Sequence, residues 1–194
     1  MKKLLLTLIA KLKYKNYKRK LRQNIANGLK IGKNVTIMPN VTIDDKYSYL
    51  ISIGDNCSFS NGVLILAHDA TTFKFTGGYT RVAKVNIKDN VYVGQNSIIL
   101  PGVTIGPNVL VAAGSVVNKD IPPNSCVAGV PARVYAKFDE FLANHKNLIN
   151  ERSVFDYKDF AAPTEEFKEK VKRLTEDGHV YVKGYEGNFP WTIS

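Results

Sequence analysis

The chain has 194 residues, room for one domain with modest additions and too few for two full ones. Hydrophobic residues make up 44% and charged residues 23%, a globular balance that excludes disorder and collagen-like repeats. Two cysteines, Cys57 and Cys126, cannot supply a disulfide scaffold or a four-thiolate metal site, the three histidines are too scattered for a metal cluster, and 27 Lys+Arg against 17 Asp+Glu give a net charge of +10.

That charge is concentrated at the start. Eleven basic residues precede the first acid, Asp44, leaving 16 basic against 17 acidic residues in the remainder. Within residues 1–30, Leu4, Leu5, Leu8, Ile9 and Leu12 recur at helical spacing with lysines between and after them. The apolar run is far short of the roughly 20 residues of a membrane span, and no small-residue cleavage site follows it. Two readings remain for this basic amphipathic helix: it lies on an anionic membrane surface, or it packs on its own domain. The expected location is cytoplasmic, at the inner face of the membrane in the first reading. A basic stripe also suits nucleic acid, but zinc spacing, the glycine-aromatic RNA signature and a helix-turn-helix pattern are all missing, so no nucleic-acid partner is expected.

From Ile31 the period becomes six. Apolar residues start the hexads at Ile31, Ile37 and Ile43, then Ile53, Phe59 and Ile65, then Ile87, Val93, Ile99, Ile105, Val111 and Val117. Four residues after most starts comes a second small or β-branched residue, such as Val35, Cys57, Val91 or Val109. A short strand plus a tight turn explains this spacing, with both positions pointing into a narrow core and Gly or Asn in the turns. Repeats of this length belong to parallel β-helices. Three hexads per coil give coils at about 31–48, 53–70, 87–104 and 105–122. Cys57 falls in an inward slot and reads as core.

The repeat breaks twice. Around Tyr47 to Ile51 the hexads are delayed by four residues after Asp44-Asp45. The hexad from Ile65 would then turn Asp69 inward, an unpaired carboxylate in an apolar shaft, so the chain leaves the coil there. It returns after an aromatic, basic excursion over 70–86 that carries Phe73, Phe75, Gly77-Gly78, Tyr79 and Arg81. His68 sits where the chain peels off. Taken alone it is an exposed histidine, while His145 and His179 lie beyond the repeat. After Pro122-Pro123 the pattern turns helical, with Phe138, Phe141, Leu142, His145, Leu148 and Ile149 on one helix. Thr164 caps a second helix bearing Phe167, Val171 and Leu174. Val180-Tyr181-Val182 suits a strand, and the aromatic tail through Trp191 is expected to pack on the assembly. The division is therefore 1–30, 31–137 and 138–194.

The stretches Ile105-Gly106-Pro107-Asn108, Ala113-Gly114-Ser115-Val116-Val117-Asn118-Lys119-Asp120-Ile121-Pro122-Pro123-Asn124 and Ala128-Gly129-Val130-Pro131-Ala132-Arg133-Val134 resemble the hexapeptide-repeat acyltransferases. The likeness is to galactoside, maltose and xenobiotic acetyltransferases and to O-acetyltransferases of surface polysaccharides, and it covers about 31–137. It implies a mainly β fold, a left-handed parallel β-helix, assembled as a homotrimer with acetyl-CoA between neighbours. It also implies that His68 is the general base toward an acceptor hydroxyl, which suits an imidazole at neutral pH. Asp69 or a backbone carbonyl would orient the ring. By the same match Gln95 and Ala113 lie along the pantetheine arm. Asn118, Lys119 and Arg133, with Lys137 added on a looser match, serve the phosphate and adenosine end. No metal is implied.

Where galactoside-type enzymes carry a sugar-holding asparagine, this chain has Met38. Asn40 or the Asp44-Asp45 pair, of which Asp45 is the candidate kept, could substitute, and Tyr79 and Arg81 of the excursion are further acceptor candidates. The expected activity is O-acetylation of a carbohydrate acceptor in surface-glycan biosynthesis. The same chemistry on an amino sugar, an antibiotic or serine is the alternative. From other classes come a non-catalytic β-helix scaffold and a metal-dependent hydratase needing three converging histidines.

Overall fold

In the structure, a computed structural model, the period of six becomes short strands separated by tight turns and aligned on three faces. Residues 15–184 and 192–193 are described; the Leu4–Leu12 pattern and Trp191 lie outside them.

On the first face Lys30–Ile31, Ile51–Ile53, Val85–Ile87 and Thr104–Ile105 pair in parallel. On the second, Val35–Ile37, Ser58–Phe59, Val91–Val93, Val109–Val111 and Ser125–Ala128 do the same. The third carries Thr42–Ile43, Leu64–Ile65, Ile98–Ile99 and Val116–Val117. The register puts Ile31, Ile53, Ile87 and Ile105 in one column, and the other hexad starts form two more. These columns are the core, with Ile37, Phe59, Ile65, Ile99 and Val111 all buried. A single coil could not bury such a face; each is covered by the next. Cys57 is buried in this shaft, and desolvation pushes its thiol up to about 11, as befits a core residue and not a nucleophile.

One corner is built by Asn34, Asn56, Asn90, Asn108 and Asn124, all at φ between 55° and 60°. Asparagine tolerates this left-handed conformation because its short amide bonds locally. Here the amides also bridge coils: Asn34 Nδ2 donates to Asn56 Oδ1 at 2.9 Å, and Asn90 Nδ2 to Asn108 Oδ1 at 3.1 Å.

The described part of the N-terminal helix covers 15–26 and ends earlier than the expected 30, because Gly28 reverses the chain at φ 100° and Lys30 already pairs in a strand. Tyr17, Leu21 and Asn24 face the coils: Tyr17 Oη donates to the Ile37 carbonyl at 2.7 Å, Leu21 packs on the core, and Asn24 is buried. Its cations are exposed. The second break is shorter than expected. Val85 and Asn86 lie in a strand, with Val85 fully buried, so the excursion ends by 84.

The coils, up to Phe138, and the strand Thr192–Ile193, paired antiparallel to Val35–Ile37, form one unit. A second unit begins at Asp139. It contains most of the helix Phe138–Glu151, the helices Tyr157–Ala161 and Glu165–Leu174, and a parallel pair, Val154–Asp156 with Tyr181–Lys183. Thr164 Oγ1 caps the last helix by accepting from Phe167 N at 3.2 Å. Phe155, Phe160 and Phe167 meet edge to face. No helix among the described residues is long and apolar enough to cross a membrane.

Candidate active site

Asp44 directly follows the third-face strand Thr42–Ile43, and its amide donates to the Ile65 carbonyl of the next coil at 2.9 Å. This rung contact brings Asp44 against the point where the chain leaves the coil. Its side chain is only 3% exposed. A buried carboxylate is costly unless its oxygens are satisfied, and three donors meet it: Ala67 N at 3.1 Å, Tyr47 N at 3.3 Å, and the ring of His68 through Nδ1. A carboxylate only accepts, so in the neutral ring Nδ1 carries the proton and Nε2 keeps its lone pair. The imidazole is 40% exposed, and the Tyr47 ring lies 5.3 Å from it at a tilt of 45°.

This corrects the expected role of Asp69. Side chains of adjacent residues on an extended segment diverge, and His68–Asp69 is such a segment, paired antiparallel with Arg81–Val82. Asp69 turns to the excursion instead. It accepts from Thr71 N at 2.9 Å and from Thr71 Oγ1, and Arg81 Nη2 approaches at 3.3 Å. The Thr71 hydroxyl first, then its amide and the Arg81 charge, hold the Asp69 carboxyl below its ordinary value.

Of the acceptor candidates, Asn40 and Asp45 line one cavity of about 570 Å³ between helix 15–26 and the first coil, together with Asn16, Arg19 and Gln23. Asp45 pairs with Lys20 Nζ at 2.8 Å and accepts from Asn24 Nδ2 at 3.3 Å. Arg81 is held at the foot of the excursion by Asp69, whereas Tyr79 stands 75% exposed within it.

The donor candidates fall on the later coils. Gln95 and Ala113 occupy stacked corners: Gly114 N donates to the Gln95 carbonyl at 2.7 Å, and Gly94 is closely apposed to Ala113. Gln95 also lines a smaller cavity, about 280 Å³, with Met38, Asn61 and Tyr92. Asn118 and Lys119 are exposed just past Val116–Val117. The register Ile65–Ile99–Val117 sets them two rungs from the strand preceding His68, on the same face, a rise of about 10 Å. Arg133 and Lys137 do not come together. They sit at the two ends of the strand Arg133–Lys137, opposite Ala128 and Ser125, about 13 Å apart on extended chain.

Among the described residues no group of three His, Cys, Asp or Glu converges as metal ligands. His145 bonds the Tyr181 hydroxyl at 3.0 Å in the second unit. Sequence reasoning singled out the Asp44-Asp45 pair for the acceptor but missed Asp44 as the partner of His68, and missed Tyr47 beside it. The signal was present in the placement of that pair immediately before the first break.

Residues 84–119 match the family model for the bacterial transferase hexapeptide (six repeats). The galactoside O-acetyltransferase of Escherichia coli (strain K12) is 37% identical over 116 residues, which are 59% of this chain and 56% of that protein. The chain thus spans little more than half the length of that relative. Among solved structures, a maltose O-acetyltransferase from Clostridium difficile 630 is 28% identical with a TM-score of 0.47, covering 65% of this chain and 88% of that one. A hexapeptide-repeat containing acetyltransferase from Vibrio cholerae O1 biovar eltor, complexed with acetyl coenzyme A, is 28% identical with a TM-score of 0.44, covering 55% and 69%.

Proposed function

We propose that this protein is an acetyl-CoA-dependent O-acetyltransferase acting on a sugar hydroxyl, built on a left-handed β-helix, with His68 as general base. The observation that carries the reading is the Asp44 carboxylate on His68 Nδ1, which leaves Nε2 free to accept a proton in a partly exposed ring. The similarity to a galactoside O-acetyltransferase and the hexapeptide repeats over 84–119 support the reaction class. In the reaction, Nε2 takes the proton of the acceptor hydroxyl as its oxygen attacks the thioester carbonyl. The tetrahedral intermediate collapses with cleavage of the C–S bond, and the imidazolium returns the proton to the departing thiolate. The products are an acetyl ester and free coenzyme A, with no acyl-enzyme.

The donor would run along the corners of Gln95 and Ala113, with its phosphates met by Asn118 and Lys119 and by Arg133 or Lys137. Charge-assisted hydrogen bonds to phosphate suit these exposed side chains. The cavity beside Asn40 and Asp45, rich in amides, suits a polyol. A homotrimer would supply the second wall of the donor groove. The outward cations of helix 15–26 would rest near an anionic surface, where glycan substrates are built.

Thiol release from acetyl-CoA, measured against a panel of sugars with the mass of each product recorded, tests the reading. A mono-acetylated sugar ester formed at a rate dependent on His68 is the expected result. Release without an acetylated product, or transfer undiminished in His68→Ala, overturns it.

A further inference from the structure

The four-residue delay at the first break builds a turn that the reaction above leaves unused. Asp44 holds both ends of the arrangement, since its carboxylate accepts from Tyr47 N as well as from His68. Leu50 N donates to the Tyr47 carbonyl at 2.9 Å, closing a 3₁₀ turn over Ser48–Leu50, and Ser48 is fully buried. Tyr49 lies over Gly28, where a Cβ would come within 3.0 Å of the Tyr49 Cβ. The turn is therefore fixed at both flanks, and it holds the Tyr47 ring against the imidazole.

On that ring rests a cation. Lys46 Nζ is 5.4 Å from the Tyr47 centroid, within the reach of a cation–π contact. The carboxylates nearby are already engaged: Asp44 with His68, Asp45 with Lys20 and Asn24, and Asp69 with Thr71 and Arg81. Among the described residues no carboxylate pairs with Lys46. Two ring contacts thus link an uncompensated ammonium to the candidate base, on a rigid support and at an exposed position.

We propose that the 46–49 turn selects an acceptor carrying a negative charge, a sugar bearing a carboxylate or phosphate, whose anionic group is met by Lys46 while its hydroxyl faces His68. This rests on the transferase reading and names its substrate class. A solvated lysine gains little from one anion, so the preference is modest, about fivefold for one exposed pair, and it weakens with salt.

The test compares methyl glucuronide with methyl glucoside, which differ in the carboxylate, and glucose 1-phosphate with glucose. Wild type is expected to favour the charged member of at least one pair in kcat/KM by about fivefold. Lys46→Ala should bring that ratio near one and Lys46→Glu should invert it, while Lys88→Ala, at an exposed position just past the strand Val85–Ile87, keeps the wild-type ratio. Which pair responds distinguishes carboxylate from phosphate. Saturation-transfer NMR of the same four compounds with the full chain reads the subsite without turnover. Charge-selective binding lost in Lys46→Ala upholds the subsite even where no acetyl transfer occurs, in which case it is the transferase reading that fails. Equal kcat/KM and equal binding of charged and neutral members, or a preference untouched by Lys46→Glu, overturn the proposal.

Discussion

Asp44 and His68 are 24 residues apart in sequence, yet the buried carboxylate of one fixes the ring tautomer of the other. The same carboxylate receives Ala67 N and Tyr47 N, so one side chain holds both the ring of His68 and the backbone beside it. Asp44→Asn keeps the shape while replacing one acceptor oxygen by a donor amide. We expect kcat to fall tenfold to a hundredfold, inside the range that a positioned base commands, with the KM for acetyl-CoA little changed. Thermal unfolding should show a loss of about 1–3 kcal/mol from buried amides left poorly paired. A variant equally destabilised but with normal kcat would reduce Asp44 to a purely structural group.

His68→Ala separates the two roles from the other side. The amides of Ala67 and Tyr47 keep their acceptor, and the buried columns at Ile65 and Val63 are untouched. The fold should survive while kcat drops by about 10²–10⁴-fold, again with little effect on acetyl-CoA affinity. His145→Ala and His179→Ala, both in the second unit, should be nearly silent in the same steady-state assay.

Much of the fold was legible because a hexad start has one possible neighbour above and below. Once Ile31, Ile53, Ile87 and Ile105 share a phase, stacking follows, and Cys57 falls into the shaft without further argument. The two breaks were legible as failures of that phase. Their contents were not. The vertical neighbour of His68 depends on how the coil re-registers after the four-residue delay, which no spacing reveals, so Asp69 and a backbone carbonyl were the partners expected and the contact with Asp44 was not. Helix periodicity likewise marked an amphipathic N-terminus but left open what its apolar face meets. Tyr17, Leu21 and Asn24 answer that for 15–26 by meeting the first coil.

Lys119→Ala and Arg133→Ala should show the converse kinetic pattern to His68→Ala. Each side chain is exposed, so stability should change by less than about 0.5 kcal/mol. Loss of one phosphate contact should raise the KM for acetyl-CoA while sparing most of kcat. Because Arg133 and Lys137 stand at opposite ends of one strand, they should not substitute for one another, and the double variant should show additive losses. Isothermal titration with coenzyme A checks both points.

The foot of the excursion carries a pH signature. Hydrogen bonds from Thr71, aided by Arg81, depress the Asp69 carboxyl. A depressed carboxyl stabilises the folded arrangement above its unfolded-state value, and that contribution is lost as pH falls through the folded one. Thr71→Val removes the largest cause, so the Asp69 midpoint should move up toward the ordinary carboxylate value. Carbon-detected NMR titration of the carboxyl would register this, and an unmoved midpoint would contradict the assigned cause.

Gly94 shows how closely the coils constrain the donor corner. A Cβ there would lie 2.5 Å from Ala113 N and 2.8 Å from both Ala112 C and Ala113 Cα, all backbone atoms that cannot swing aside. In Gly94→Ala the two rungs must part, and overpacking of this kind costs about 1–3 kcal/mol. The displaced corner is the one proposed to carry the pantetheine arm, so the KM for acetyl-CoA should rise along with the loss of stability. Gly184→Ala is the matched control, because nothing lies within 4 Å of its added methyl, and it should leave both quantities unchanged. If Gly94→Ala lowers the melting temperature without touching the KM for acetyl-CoA, the arm runs elsewhere and the corner formed by Gln95 and Ala113 is structural alone.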